Sequence, residues 1–148
     1  QDHLGALFCF PARLRNKTLF SNFFNTNFPK ILNRRSFRKK LFFGMTPPHQ
    51  TTFFSKRAFE KLSVFSDDFL LASDLDYFLK FSKIENISLL VINDELVNMS
   101  TDGISSQKNK LRLKEVLLSY KKSFGIFFPV PFIFRYIRKV STKFFRVL

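Results

Sequence analysis

Acidic residues are confined almost entirely to one central stretch of an otherwise basic chain. Residues 67–104 contain eight Asp and Glu against two Lys and Arg, whereas residues 1–66 contain two against twelve and residues 105–148 one against eleven. Two of these acids, Asp74 and Asp76, stand two positions apart where a helix is predicted to begin. An acidic centre between basic arms is typical of a site that does chemistry beside an anionic ligand or membrane.

The length and apolar content are those of one globular domain. A chain of 148 residues with 45% hydrophobic residues and 23 phenylalanines can bury a core. The single cysteine, Cys9, excludes an internal disulfide, and two histidines and one cysteine are too few for a structural zinc site. The longest apolar run, residues 125–134, holds two prolines and is too short to span a bilayer.

Strands are predicted on both sides of the helix that carries Asp74 and Asp76. Residues 4–10 (LGALFCF) form a continuous apolar strand, and residues 13–43 are irregular enough to predict loop and a short helix. The paired prolines in residues 44–48 break the chain before a Thr- and Phe-rich strand at residues 50–54. Two further short strands are predicted at residues 88–93 and 96–100, beyond the acidic helix.

Serines mark the starts of the predicted helices. Ser55 caps a helix that continues to Leu62. Ser73 followed by Asp76 has the form of a capping box, with Asp in place of Glu or Gln, and begins a helix to about Lys83. A longer helix is predicted to begin at Ser105 or Ser106 and to end at Gly125. Its apolar face is expected to consist of Leu113, Val116, Leu117, Tyr120 and Phe124.

The C-terminal residues 132–148 predict a basic amphipathic helix. One face carries the basic side chains, which are Arg135, Arg138, Lys139, Lys143 and Arg146, and the other carries Ile133, Ile137, Val140, Phe144 and Leu148. Two arrangements are open. The helix lies on an anionic membrane with its phenylalanines inserted, or its apolar face packs on the protein and leaves the basic face in water.

The acidic pair allows two interpretations. A carboxylate at a helix start inside a cleft can act as a general base that removes a proton from an attacking hydroxyl. Alternatively, Asp76 caps the helix and Asp74 only stabilises its N-terminal dipole. His49 likewise either contacts a phosphate or is held by backbone bonds at the start of a strand.

The order of elements resembles the C-terminal half of family 2 glycosyltransferases, which are nucleotide-sugar enzymes of the GT-A fold. Five segments carry this resemblance. They are residues 47–54 (PPHQTTFF), 57–62 (RAFEKL), 65–69 (FSDDF), 72–79 (ASDLDYFL) and 102–106 (DGISS).

The resemblance implies an inverting sugar transfer. Asp74 matches the family's catalytic base and Asp76 its second acid, while His49 and Gly103 match substrate-binding positions. The base deprotonates an acceptor hydroxyl, which attacks the anomeric carbon opposite a nucleoside-diphosphate leaving group. A divalent cation, Mg²⁺ or Mn²⁺, neutralises the diphosphate in the family. Its Asp-x-Asp ligand motif does not occur in residues 1–48, so no metal ligand is assigned in this chain.

The resemblance also implies an α/β architecture. We expect a partial GT-A fold that lacks its N-terminal nucleotide-binding half. Residues 1–44 would be part of the central region, residues 45–104 the acceptor-side region with the base, and residues 105–148 C-terminal helices. Such a chain is expected to be a fragment and to be inactive alone.

The implied partners are a nucleotide-sugar donor and a glycan or lipid-linked acceptor in cell-surface polysaccharide synthesis. The expected location is cytoplasmic, and peripheral at the inner face of the plasma membrane if the C-terminal helix binds anionic lipid. A rival hypothesis is a non-enzymatic basic protein that binds nucleic acid or an anionic membrane through its flanks. Nucleic acid is the less favoured of these partners.

Overall fold

The protein has a mixed α/β fold, and the computed structural model describes residues 6–9, 12–14, 17–18, 30–62, 68–91, 97–99 and 109–144. The strands of this part of the chain are β1 (Ala6–Cys9), β2 (Ala12–Leu14), β3 (Lys17–Thr18), β4 (Lys30–Asn33), β5 (Thr52–Phe54), β6 (Ser88–Val91) and β7 (Val97–Met99). The α-helices are α1 (Arg34–Phe42), α2 (Lys56–Leu62), α3 (Ser73–Phe81), α4 (Asn109–Phe124) and α5 (Pro129–Phe144).

The strands form two small sheets. The first has the order β4-β6-β1-β5, in which β1 and β6 are parallel and the two outer pairs are antiparallel. Leu7 lies opposite Leu89 on one side and Phe54 on the other. Leu89 and Val91 of β6 are buried, so one face of this sheet packs on the core. The second sheet has the order β3-β2-β7.

Helix α3 is the centre of the core. Leu75, Tyr77, Phe78, Leu79 and Phe81 are all at most 2% exposed, because α2, α4 and the first sheet surround this helix. The aromatic rings pack edge to face around Phe54 of β5 and Phe37 of α1, with centroids 4.8 to 6.4 Å apart. These rings attach the helix that carries the acidic pair to the sheet.

Gly44 follows the end of α1 and allows the chain there to approach α5 closely. Gly44 has φ of 72° and donates to the carbonyl of Leu41, while Met45 donates to the carbonyl of Lys40, which is the Schellman arrangement. A Cβ at Gly44 would lie 2.4 Å from the Cα of Arg135. Residue 44 therefore sets how closely the start of the proline-rich break approaches α5.

The predicted strands at residues 4–10, 88–93 and 96–100 are confirmed where the structure describes them. The helix behind Ser55 is confirmed as α2, and the Ser55 hydroxyl accepts the N–H of Ala58 at 3.2 Å. The irregular region before Phe43 contains β2, β3 and β4 besides α1, and sequence periodicity missed these strands because each has at most four residues. The strand expected at residues 50–54 is shorter, because residues His49–Thr51 form a 3₁₀ turn.

The capping box at Ser73 is wrong. Helix α3 begins at Ser73 itself, its N-cap residue is Ala72, and no side chain of the predicted box caps it. Asp76 donates its backbone N–H to the Ala72 carbonyl, and its carboxylate contacts Lys80 one turn further on at 2.8 Å. Another part of the chain therefore caps this helix.

The apolar face predicted for α4 is only partly correct. Val116 and Tyr120 are buried, but Leu113 is 44% exposed. Glu115 and Ser119 take the buried positions instead. The helix is thus turned so that the carboxylate of Glu115, not the side chain of Leu113, faces the core.

Helix α5 does not pack on the protein through the apolar face that its sequence predicts. Ile133, Ile137 and Val140 are 54%, 55% and 66% exposed, whereas Arg135 is partly buried and faces the protein. The packing of the face with Ile133, Ile137 and Val140 on the protein is therefore wrong. On the basic face, Lys139 is exposed and Arg135 and Arg138 are partly buried. Phe132 and Tyr136 make the inward apolar contacts instead.

None of the helices in the described residues combines the length and the hydropathy that crossing a bilayer requires.

Candidate functional site

A crevice lies where the start of α3 meets β5, α4 and α5. Its volume is about 630 Å³. Its floor is apolar, with Phe54, Leu75, Phe78 and Val116. Its polar and charged lining residues are His49, Gln50, Thr52, Ser73, Asp74, Tyr77, Arg112, Arg135 and Lys139. A volume of this size accepts a sugar or a nucleotide.

Asp74 opens into this crevice from the first turn of α3. Its side chain is 36% exposed, and the following residue, Leu75, is buried in the core and fixes the helix beneath it. The carboxylate is thus neither sealed under the phenylalanines nor directed into bulk solvent. This is the geometry that a general base at residue 74 requires.

His49 contacts Asp74 across the crevice. Its Nδ1 lies 3.3 Å from Oδ2 of Asp74. The hydrogen bond to Asp74 raises the pKa of His49 above its ordinary value, although partial burial opposes the change. Burial acts to raise the pKa of Asp74, but the hydrogen bonds from His49 and the Leu75 N–H and the nearby positive charges outweigh it and leave that pKa lowered. Asp74 is therefore ionised at neutral pH.

Local sequence explains how His49 reaches this position. Pro48, directly before His49, has an extended conformation with φ of −68° and ψ of 117°. A 3₁₀ turn follows at His49–Thr51. The hydroxyls of Thr51 and Thr52 donate to the Pro48 carbonyl at 3.3 and 2.7 Å. These bonds hold the turn, so that the imidazole projects toward α3.

Glu115 of α4 supplies the cap that the sequence of α3 does not. Its buried carboxylate accepts the backbone N–H groups of Leu70, Leu71 and Ala72 at 3.1, 2.7 and 2.9 Å. A carboxylate bound to the free N–H groups before a helix satisfies them and complements the helix dipole. Glu115 thus positions the helix start that carries Asp74.

Asp76 does not share the crevice with Asp74. It is 3% exposed, it is not among the lining residues, and its carboxylate pairs with Lys80. Two residues along a helix point to different sides, which separates the two acids. Gly103, the other predicted substrate-binding residue, lies outside the described residues.

The crevice does not provide a ligand set for Mg²⁺ or Mn²⁺. Among the described residues that line it, Asp74 is the only carboxylate, and it is engaged with His49. Within the described residues, no three His, Cys, Asp or Glu side chains converge on one point. These hard cations need several oxygen ligands, so the residues described here do not fit the ion that the resemblance implies.

Three cations reach the crevice from the C-terminal helices. They are Arg112 of α4 and Arg135 and Lys139 of α5. Desolvation, followed by repulsion from Arg135 and Arg112, lowers the pKa of Lys139 to about 8, although Asp74 opposes the shift. The helical spacing of Arg135 and Lys139 was visible in the sequence. The spacing did not show that these two side chains border the same crevice as Asp74.

No family model, curated protein or solved structure matches this chain.

Proposed function

We propose that this chain forms the acceptor side of a glycosyltransferase of family 2 with a GT-A fold, in which Asp74 is the general base. The observation that carries the proposal is the position of Asp74, ionised and partly exposed in an open crevice beside His49. The mixed α/β fold and the five sequence segments are compatible with it. The acceptor would be a glycan or a lipid-linked sugar, and the donor a nucleotide-sugar.

The proposed step is an inverting displacement. Asp74 takes the proton of an acceptor hydroxyl while the hydroxyl oxygen bonds to the anomeric carbon. The bond from that carbon to the diphosphate oxygen breaks, and the nucleoside diphosphate leaves with the electron pair. A carboxylate with a lowered pKa is a weak base. His49 therefore has to release Asp74 as the hydroxyl arrives, which makes the imidazole a positioning group for the carboxylate.

Transfer assays on the protein that carries this sequence in the cell test the assignment. Asp74→Asn should lower kcat by about 10²- to 10⁴-fold, the range for loss of a general base, with circular dichroism unchanged. Asp76→Asn is the matched control, because it removes a carboxylate two residues away that does not line the crevice. We expect it to lower stability through the loss of the Lys80 contact, with kcat reduced far less. Equal loss of kcat in both variants, or full activity in Asp74→Asn, would refute the assignment.

A second function, binding to an anionic membrane, is favoured by a different observation. Seven apolar side chains at helical spacing are exposed along α5 and the 3₁₀ turn before it. They are Ile126, Phe127, Val130, Ile133, Phe134, Ile137 and Val140, and we call them the outer stripe. Exposed apolar surface of this extent on a chain of net charge +14 suits the interface of an anionic bilayer. Like charge opposes the pairing of two copies through this face.

The absence of tryptophan from the chain provides a direct test. Ile137→Trp puts a single indole on the outer stripe, and Phe59→Trp puts one at an exposed site on α2. With phosphatidylglycerol vesicles, fluorescence of the Ile137→Trp variant should shift to the blue, and that of the Phe59→Trp variant should not. No shift in the Ile137→Trp variant, or the same shift with DNA as with vesicles, would contradict membrane binding through the stripe.

A further inference from the structure

The charge distribution inside the crevice points to a ligand of a definite class. Among its lining residues, Asp74 faces three permanent or titratable cations from the C-terminal helices, and its own carboxylate is occupied by His49. The cations are Arg112, Arg135 and Lys139. Surface lysines and arginines usually spread apart in solvent, whereas these three converge on one concave site with an apolar floor.

Arg135 is held rigidly, and part of its hydrogen-bonding capacity is unused. Its backbone lies against Gly44, where even a methyl group would clash. One guanidinium nitrogen donates to Oγ1 of Thr46 at 3.4 Å, and the hydroxyl of Tyr120 is a second polar neighbour. A guanidinium carries five N–H donors in a planar fork, which leaves donors for a further acceptor. Because Arg135 lines the crevice, its guanidinium can donate to an oxyanion there.

Lys139 lies one turn further along the same face of α5. Desolvation first, and then repulsion from Arg135 on its own helix and Arg112 on α4, lowers its pKa to about 8, while Asp74 on α3 opposes the change. A bound anion would relieve the repulsion among all three cations. A cationic cluster with a perturbed pKa that lines a cleft is a candidate binding site.

We propose that the crevice binds a phosphoryl or diphosphoryl group through Arg135 and Lys139, with Arg112 at its edge, while Asp74 receives an uncharged part of the same ligand. Arginine binds phosphate oxygens in a bidentate manner, and lysine adds a point charge. The carboxylate of Asp74 repels phosphate, so the ligand has one orientation. Its anion lies against α5, and a hydroxyl-bearing portion lies against α3. The side chains neutralise the phosphoryl charge without a divalent cation.

This inference uses the crevice of the proposed function but does not rest on sugar transfer. The phosphoryl group could belong to a soluble nucleoside diphosphate or to the headgroup of a phospholipid. Both sources present the same oxygens to the same cations, and binding assays separate them.

Isothermal titration calorimetry of the whole chain tests the proposal, with inorganic pyrophosphate as the probe, in 150 mM salt with EDTA. We expect saturable binding of one pyrophosphate per chain. Arg135→Met and Lys139→Met should each weaken binding by about tenfold or more, as expected for loss of a charged hydrogen-bonding partner. Lys56→Met removes a cation that is 91% exposed on α2 and should leave the affinity unchanged. Arg135→Lys keeps the positive charge and controls for misfolding of the Arg135→Met variant. It should bind pyrophosphate more tightly than Arg135→Met.

Two further ligands identify the source of the phosphoryl group. If a nucleoside diphosphate is the ligand, uridine diphosphate should bind more tightly than pyrophosphate. If a lipid headgroup is the ligand, phosphatidic acid vesicles should compete with pyrophosphate and uridine diphosphate should show no gain. Absence of saturable pyrophosphate binding, or equal weakening by Lys56→Met, overturns the proposal. Asp74→Asn should retain or tighten pyrophosphate binding while removing transfer, so failure of one proposal is distinguishable from failure of the other.

Discussion

At the scale of single residues, the site depends on two carboxylates that the sequence does not distinguish from other acids. Asp74 is available in the crevice because His49 holds it there from another element. Glu115 is unavailable to any ligand because three backbone N–H groups occupy it. Asp74 is therefore a candidate for a catalytic role, whereas Glu115 has a structural role. The hydrogen-bond partners of each carboxylate decide this.

The His49–Asp74 pair should be visible in a pH titration. Because the pKa of His49 is raised in the folded protein, the contribution of His49 to stability is complete below pH 6.5. It is lost as the pH rises through the folded-state pKa of His49. Because the pKa of Asp74 is lowered, its contribution is complete above 3.8 and is lost as pH falls through the folded-state value. The pair should thus stabilise the fold most between about pH 4 and 6.5.

NMR titration of His49 checks this prediction. In Asp74→Asn the imidazole loses its carboxylate partner, so its pKa should fall relative to the wild type. An unchanged His49 titration would show that the 3.3 Å contact does not persist in solution.

Replacing Glu115 should destabilise the whole protein. Glu115→Ala leaves the N–H groups of Leu70, Leu71 and Ala72 without an acceptor, at a cost of about 3 kcal/mol in the free energy of unfolding. Glu115→Gln keeps one acceptor oxygen and should cost about 1–2 kcal/mol. Urea denaturation measures both values. If both variants match the wild type, water replaces the carboxylate and α3 does not need this cap.

At the scale of secondary-structure elements, the end of α1 contacts the middle of α5, the helix that contributes Arg135 and Lys139 to the crevice. That contact places Arg135 of α5 over the proline-rich turn that carries His49. It requires a residue without a side chain at position 44. Gly44 is therefore required for two reasons, which are its positive φ at the end of α1 and the close approach of the Arg135 backbone.

Alanine substitutions at Gly44 and Gly125, which both have positive φ, separate the cost of the backbone conformation from the cost of the clash with α5. Gly44→Ala meets both the unfavourable left-handed conformation and a clash with the Arg135 backbone, whereas Gly125→Ala meets only the first, since nothing lies within 4 Å of its added carbon. Gly125→Ala should cost about 1 kcal/mol. Gly44→Ala should cost clearly more and also weaken pyrophosphate binding. Thermal denaturation and calorimetry measure these effects, and equal costs would show that the α1–α5 contact is loose.

At the scale of the whole molecule, the protein has a buried aromatic core and an uncovered apolar stripe. The core surrounds α3 and includes Phe37, which is 0% exposed. The outer stripe lies on the opposite side of α5 from the crevice. The same helix thus lines the crevice with Arg135 and Lys139 and exposes apolar side chains on its other side.

Two alanine substitutions distinguish core from stripe. Phe37→Ala removes a fully buried ring and should lower the free energy of unfolding by about 3–5 kcal/mol. Ile137→Ala removes a side chain that is 55% exposed and should change it by less than about 0.5 kcal/mol. Chemical denaturation measures both. A loss above about 1 kcal/mol for Ile137→Ala would mean that other parts of the protein cover the stripe.

Local features of the protein were determined by sequence alone. The break at Gly44, the cap at Ser55, the helix that begins at Ser73 and the amphipathic character of α5 depend on residues a few positions apart. Over such distances, backbone sterics and side-chain spacing decide the conformation. The assignment of Asp74 to a crevice came from the resemblance and not from spacing.

Only the tertiary structure decided which side chains meet. Glu115 caps a helix start 43 residues earlier in the chain, and α5 directs Arg135 toward the protein while its apolar residues Ile133 and Ile137 stay exposed. The rings of Phe37, Phe54 and Phe78 pack together in the core. Phe132 and Tyr136 of α5 pack against this core, which leaves Ile133 and Ile137 outside it. Periodicity identifies the faces of a helix, but competition for a limited core volume decides which face is buried.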